Sequence, residues 1–362
     1  MIKEVIIIFI TAFALSLILT PLSIKLAPKV GAVDVPKDSR RMHSKPIPRM
    51  GGLAIFLGTV ITLVLWTPGV GLSYMTGFSF DMRLVGILLG GLLIFVFSLV
   101  DDVKALPAKA KLAVQIICAL ILYFFSVRIE FFGDPFSEGL IRLPMIVSLI
   151  VTVIWVVGIT NAVNLIDGLD GLAGGIACIS SIAIAFTAYI HGSYEVCMPL
   201  LAVAGSCCGF LPYNFHPAKT FMGDCGSQFL GFMLAAVAMT SVTKSATVIA
   251  IILPIFALAL PIFDTLFAIF RRIINKRPIM EADKGHLHHR LMAIGMGQRR
   301  AVLTLYGISG VMGVAAIILS RHLYFEGIAL IIVAIVLVGV FINDHRAGKI
   351  VSEKEESKED AE

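Results

Sequence analysis

Apolar stretch follows apolar stretch along this sequence, each long enough to cross a bilayer, and that succession settles the class before any motif is read. Taking roughly 17–25 residues per crossing, eleven segments qualify, near residues 4–26, 52–68, 83–100, 110–127, 143–163, 170–190, 196–212, 226–243, 246–270, 301–320 and 323–342. The chain is 58% hydrophobic and only 15% charged, more apolar than a soluble protein needs to be. The expected class is all-α, a multi-pass integral membrane protein with about eleven transmembrane helices. The opening MIKEVIIIFITAFALSLILTPLSIKLA is too long for a signal h-region and lacks a small-residue cleavage site, so it reads as a retained helix. Residues 1–342 are expected to form one multi-pass domain. Residues 343–362, charged and without periodicity, are expected to be a disordered cytoplasmic tail.

Charge sets the orientation. Of the 29 Lys and Arg, 22 fall in segments 27–51, 101–111, 161–170, 213–225, 271–300 and 343–362, and six in the alternate set. By the positive-inside rule the N-terminus lies outside and the C-terminus in the cytoplasm. The net charge of +5 therefore requires no nucleic-acid partner. Six cysteines show no metal-type spacing, and five lie within apolar runs; they read as small core residues.

The polar clusters all fall on the inner side. In SLVDDVKALPAKAKLAVQ, Asp101 and Asp102 end a span, where the helix dipole disfavours carboxylates. Either they are solvated end charges, or Lys104, Lys109, Lys111 or a bound cation compensates them; a paired carboxylate suits general-base work or metal binding. In NAVNLIDGLDGLAGG, Asn161 and Asn164 share a helix face. Carrying one helix on through Asp167 and Asp170 would turn each three-residue step by about 60° and scatter them, and Gly168 and Gly171 predict a break instead. In YNFHPAKTFMGDCGSQFLGF, Asp224 reads as a helix N-cap or as a ligand for an oxygen-coordinated Mg²⁺, with free amides nearby for a phosphate. Phe221 reads as an interface aromatic or as a stacking platform for a base.

The loop EADKGHLHHRL carries His286, His288, His289 and Arg290 without a spacing that completes a zinc site; with Lys284 it suits an anion. DVPKDSRRMHSKPIPRMGG adds His43, Arg49 and Gly51–Gly52 just before a helix start; it reads as another phosphate-facing element or, more simply, as a product of the positive-inside bias alone. Asp264 is the one acid well inside a span, a functional candidate by position, with Arg271 two turns on as a neutralising partner.

Taken in order, HSKPIPRMGG, DDVKALPAKAKLAVQ, NAVNLIDGLDGLAGG, NFHPAKTFMGDCGS and HLHHRL resemble the polyprenyl-phosphate N-acetylhexosamine-1-phosphate transferase family. The resemblance implies transfer of a sugar-1-phosphate from a UDP-sugar to a membrane polyprenyl phosphate, with release of UMP and a need for Mg²⁺, Mn²⁺ being an alternative. It implies that Asn164 and Asp224 hold the metal and that Asp101 and Asp102 include the base or phosphate-positioning acid. Lys111 matches the family's lysine downstream of that pair. Asn214 and Phe221 match uracil contacts, and Asp167 and Asp170 match acids needed for activity or for the nucleotide. His286, His288, His289 and Arg290 match the loop that engages diphosphate and sugar, and Asn161 belongs to the same substrate-facing set. HLHH in place of three consecutive histidines resembles the branch using UDP-N-acetylglucosamine rather than a muramyl-pentapeptide donor. Asp170, where the eukaryotic dolichol branch has Asn, resembles the bacterial forms and a plasma-membrane location. The oligomeric state is left open, a homodimer included.

Two rivals fit less well. A transporter needs ionisable or broken segments at the midplane, often in repeated halves; here the polar residues crowd one face and no repeat is evident. The signature of CDP-alcohol phosphotransferases resembles D-G-x2-A-R, and the DG pairs here lack the Ala-Arg.

Overall fold

The computed structural model describes residues 2–36, 45–67, 81–133, 140–242, 254–278 and 285–321, with 323, 325–333, 335 and 339. The tail, the end of the expected last span with a few residues inside it, the start of the ninth, His43 and Lys284 lie outside the described residues. Among the described residues the main helices are α1 (Ile2–Val30), α2 (Gly52–Trp66), α3 (Met82–Lys104), α4 (Ala108–Phe124), α5 (Met145–Ile166), α6 (Leu172–Ile190), α7 (Tyr194–Asn214), α8 (Gly223–Val242), α9 (Ala259–Ile274), α10 (Leu287–Ala293) and α11 (Gln298–Ser320), and residues 325–333 are also helical. Two short antiparallel hairpins pair β1 (Val33–Asp34) with β2 (Ile47–Pro48), and β3 (Phe131–Gly133) with β4 (Leu140–Arg142).

Among the described residues six helices, α1, α3, α5, α6, α7 and α11, are long and apolar enough to cross a membrane, and α2 is a shorter apolar helix. The chain is thus a mostly helical, multi-pass membrane protein. Its outer faces agree: Ile2, Ile6, Ile10, Ile18 and Leu22 on α1, and Phe263, Leu266, Phe267 and Phe270 on α9, are exposed. Stripes of that size on a water-soluble surface would be sticky.

α8 is the hub. Every residue from Cys225 to Thr240 is buried, as expected of a helix apolar on all sides, with α3, α5, α2, α7 and α6 around it. Phe56 of α2 stacks on Phe95 of α3 with ring centres 4.0 Å apart and meets Phe229 of α8 edge-on at 5.2 Å. α1 lies along α7 through small residues. On α1 the buried side is Ile8 followed by the small residues Ala12, Ser16, Thr20, Ser23 and Ala27, with Thr20 Oγ1 donating to the Ser16 carbonyl. On α7, Gly205 and Gly209 let the backbones approach so closely that a Cβ at Gly209 would run into the Phe13 carbonyl oxygen. With lipid as solvent there is little hydrophobic gain in pairing helices, so such close backbone contact supplies much of the attraction.

The topology brings the C-terminal ends of α3, α5 and α7 to the same end of the bundle as the N-terminal ends of α4, α6 and α8. Side chains from these ends meet one another directly: Asp101 with Lys111, Asp102 with the first turn of α8, and Asn214 with Gly171. Gly209→Leu is expected to lower stability by about 3 kcal/mol through forced separation of α1 and α7, read as a drop in the unfolding midpoint of detergent-purified protein; an unchanged midpoint would contradict the close contact.

Candidate active site

Asp101 and Asp102 occupy the last turn of α3, and their compensation comes from other segments. The Asp102 side chain is fully buried. Its Oδ1 accepts from Arg49 Nη2 at 2.8 Å, from Arg49 Nε at 3.2 Å and from the Asp224 amide at 2.8 Å. Its Oδ2 accepts from the Cys225 amide at 3.0 Å. Asp102 therefore caps the start of α8 from another helix, a favourable place for negative charge. This corrects two expectations. Asp224 is not the N-cap, because α8 already begins at Gly223 and the Asp224 amide is itself a capped donor. The amides of Asp224 and Cys225 are likewise not free for a phosphate. Gly223 has φ +73°, and a Cβ there would fall 2.6 Å from both Asp102 Oδ2 and the Arg49 carbonyl oxygen, so both conformation and space require glycine.

Arg49 is brought in by backbone pairing. Phe221 N donates to the Pro48 carbonyl at 2.8 Å, Gly51 N to Phe221 at 2.9 Å and Gly52 N to Met222 at 2.8 Å. Positive-inside bias is thus not its whole explanation: Arg49 is part of the site.

Lys111, in the first turn of α4, joins the other two acids. Its Nζ is 2.5 Å from Asp101 Oδ2 and 2.6 Å from Asp224 Oδ2. Of the three lysines offered as partners for the acid pair, Lys111 makes the contact. Asp101 Oδ1 accepts from the Leu106 amide at 2.6 Å, and Arg49 Nη2 stands 4.0 Å from Asp224 Oδ1.

The segment 161–175 breaks where its glycines place the break: α5 ends at Ile166, Gly171 takes φ +81°, and α6 begins at Leu172. Asn164 Oδ1 accepts from Ser227 Oγ at 2.6 Å, and Ser227 Oγ also lies 3.1 Å from the Gly223 carbonyl. Asn164 and the start of α8 are therefore joined through one hydroxyl. Asn161 is held differently: its Nδ2 donates to Gln115 Oε1 at 2.7 Å and to the Val157 carbonyl at 2.8 Å, inside a network that continues to Gln228. Asp170 Oδ2 takes His216 Nδ1 at 2.8 Å and the Ala218 amide at 3.1 Å. Asn214 is buried and spends its amide on backbone, accepting from Gly171 N and donating to the Thr220 carbonyl, both at 3.0 Å.

Beside this cluster opens a cavity of about 720 Å³ whose wall includes Asp167, Asp170, Asn214, Phe221, Asp224 and His289. Asp34, Lys45, Arg49, His216, Lys219 and Gln298 also line it; of these the sequence singles out only Arg49, as one of two readings of its loop. His216 and Lys219 lie in the NFHPAK stretch, which is a usable signal. Asn161, Asn164, Asp101, Asp102 and Lys111 stand outside that wall. Asp167 is pushed up to about 7, first by burial and then by the charges of Asp224 and Asp102.

The histidine loop enters through α10. His289 reaches the cavity, His286 and His288 are buried, and Arg290 is exposed. Burial, with His289 next, lowers His288 to about 4, so it is neutral at pH 7. The partner of Asp264 is His286, whose Nδ1 lies 2.8 Å from Asp264 Oδ2, rather than Arg271.

Residues 84–242 match the family model described as glycosyl transferase family 4. The chain is 40% identical over 337 residues, covering 93% of itself and 91% of the relative, to a probable undecaprenyl-phosphate N-acetylglucosaminyl 1-phosphate transferase of Bacillus subtilis. This chain belongs to the polyprenyl-phosphate N-acetylhexosamine-1-phosphate transferase family. A decaprenyl-phosphate N-acetylglucosaminephosphotransferase of Mycobacterium tuberculosis is 36% identical, covering 87% of this chain and 82% of the relative. A phospho-N-acetylmuramoyl-pentapeptide-transferase of a Geobacillus strain is 30% identical, covering 83% and 92%. The transferase shares more identity with the two N-acetylglucosamine relatives than with this one.

The geometry can be checked at two residues. Arg49→Ala leaves the buried Asp102 carboxylate short of its cation, and should cost about 1–3 kcal/mol of stability, with Arg49→Lys between it and wild type; denaturant titration measures both, and equal stabilities would refute the pairing. For Asp167, the unfolded chain ionises near 4, so any stability the folded state draws from the protonated form is full below that pH. It is lost as pH rises through about 7. Asp167→Asn should therefore raise the unfolding midpoint more at pH 8 than at pH 5 in chelator-treated protein; equal shifts would contradict the raised value.

Proposed function

We propose that the transferase moves N-acetylglucosamine-1-phosphate from UDP-N-acetylglucosamine to undecaprenyl phosphate at the cytoplasmic membrane face, releasing UMP. The product would begin a cell-envelope glycopolymer. The observation that carries this reading is Lys111 Nζ set between the carboxylates of Asp101 and Asp224. A second cation, Arg49, stands beside them, at the edge of a cavity with further basic residues in its wall. That arrangement suits a diphosphate flanked by acids that favour a divalent ion.

The donor set fits Mg²⁺. Asp224 and Asn164 offer hard oxygen atoms at one end of α8, and among the described residues no cluster of three His, Cys, Asp or Glu stands ready to hold a metal. Such a site would rely on substrate phosphates for further oxygen donors, as Mg²⁺ sites commonly do. When bound, the ion neutralises charge on the diphosphate and on the departing UMP.

The chain's own residues supply the rest. A phosphomonoester has a second pKa near 6, so the lipid phosphate is largely dianionic at neutral pH and needs positioning more than deprotonation. One of its oxygens attacks the β-phosphorus, forming the new P–O bond while the bond from that phosphorus to the bridging oxygen breaks and UMP departs. Lys111 and Arg49 offset the charge of two anionic substrates brought together. Asp102, with four donors on two oxygens and no exposed surface, holds the frame and is not available as a nucleophile. Asp101 is the acid left to align the acceptor. Phe221 in the cavity wall offers a face for uracil, and His289, Lys45 and Lys219 offer donors to sugar and phosphate. We read α2, α4, α8 and α9 as further crossings within an eleven-span chain, N-terminus outside, because the basic loops and the site share one end.

Purified protein with UDP-N-acetylglucosamine, undecaprenyl phosphate and Mg²⁺ should release UMP and form a lipid diphosphate sugar. Asp224→Ala should lose at least about a hundredfold in rate, and Asn164→Ala should raise the Mg²⁺ concentration needed for half-maximal rate. No UMP from wild type, or Asp224→Ala matching it, rejects the enzyme reading. Faster turnover with another UDP-N-acetylhexosamine reassigns the donor, and a phospho-sugar adduct trapped on Asp101 replaces direct attack with a covalent route.

A further inference from the structure

Asp264, an acid that the proposed reaction does not use, sits in the second turn of α9 and does not line the cavity. Its two oxygens grip two consecutive residues of another segment. Oδ2 takes His286 Nδ1 at 2.8 Å, and Oδ1 accepts from the Leu287 amide at 2.8 Å. Both side chains of the Asp264–His286 pair are almost wholly buried, at 7% and 6% exposure. The carboxylate can only accept, so His286 carries its proton on Nδ1. One residue earlier, Gly285 lies so close to the Arg271 guanidinium that any side chain at 285 would collide with it. Asp264 and Arg271, two turns apart on α9, thus hold the entry to α10 from one side.

From that entry a row of imidazoles runs to the active site. His288 lies nearly parallel to His286, 7° between planes with centres 5.8 Å apart, and 4.2 Å from His289. His289 lines the cavity. His288 is pressed against Gly168, between Asp167 and Asp170, where a Cβ would strike the imidazole ring. It is 2% exposed, and among the described residues neither of its ring nitrogens has a hydrogen-bond partner. A buried imidazole with both nitrogens unsatisfied is costly, and an apolar side chain would fill that space more cheaply. A seven-residue helix such as α10 has no stability of its own, so its placement is decided by what grips its ends.

Resting on the transfer reaction proposed above, we propose that Asp264 is a positioning residue for that reaction. It fixes His286 and the first residue of α10, and through the imidazole row sets where His289 meets the substrate. His288 transmits that placement to the turn bearing Asp167 and Asp170. Asp264 itself touches no substrate.

The test combines steady-state kinetics of UMP release with ¹⁵N-histidine NMR of the full chain in detergent, the His286 signal being assigned by its loss in His286→Gln. In wild type, His286 should be protonated at Nδ1, and Asp264→Ala should abolish that signature. Asp264→Ala should also lower kcat about tenfold to a hundredfold. The double variant with His286→Gln should fall no further than the worse single variant, because both act through one contact. Asp264→Asn keeps an acceptor for the Leu287 amide and should recover part of the rate; it also serves if the alanine variant fails to fold. An unaltered His286 signal in Asp264→Ala, additive losses in the double variant, or wild-type rates in both Asp264 variants overturns the proposal. Wild-type protein that releases no UMP removes the reaction reading instead, a result distinct from any of these.

Discussion

A single buried carboxylate holds together the end of this protein where the candidate active site lies. Asp102 comes from α3, Arg49 from the strand-like segment before α2, and the amides of Asp224 and Cys225 from α8. A charge taken out of water is tolerable only when its lone pairs are filled, and here none of the donors is local in sequence. The site is therefore complete only when these three segments have met. Everything downstream inherits its geometry from that meeting: the position of Asp224, the reach of Lys111 across to it, and the hydroxyl link from Ser227 to Asn164.

Adjacent acids thereby acquire different work. Asp101 and Asp102 differ by one position on a helix, about 100° of rotation, and that turn separates their surroundings. Asp102 faces the start of α8 and is saturated by donors. Asp101 faces Lys111 with one oxygen and accepts the Leu106 amide on the other. The chemistry assigned to a paired-acid motif belongs to the pair, with one member fixing the frame so that the other can act.

The membrane class and the break at residues 167–171 are legible in the sequence because they depend on local rules: apolar run length, and glycine where a helix must stop. The cluster of motifs at one end is legible from charge placement. Four features are hidden, each for a physical reason. The cap of α8 escapes because capping rules look to the residue beside the helix start, whereas the actual acceptor lies 122 positions away. Arg49 escapes because the positive-inside bias already accounts for a basic residue in that loop. Asn161 shares a helix face with Asn164, yet Gln115 of α4 captures its amide, a partner that helical periodicity cannot reveal. Asp264 stands out as an intramembrane acid, but its partner comes from a loop twenty-two residues on rather than from its own helix.

The location of the site follows from helix direction. Successive helices run in opposite senses, so the end where α3, α5 and α7 finish is the end where α4, α6 and α8 start. A helix finish repels carboxylates and a helix start attracts them. Acids placed on the last turn of α3 are unstable alone, and the start of α8 beside them supplies the missing donors. The same end collects the basic loops, which gives Asp101 and Asp224 a lysine and an arginine for neighbours. The proposed transfer between two phosphate-bearing substrates calls for acids and cations close together but not neutralising one another completely. Lys111, shared between Asp101 and Asp224, meets that requirement, because one positive charge between two carboxylates leaves the pair with negative charge to spare.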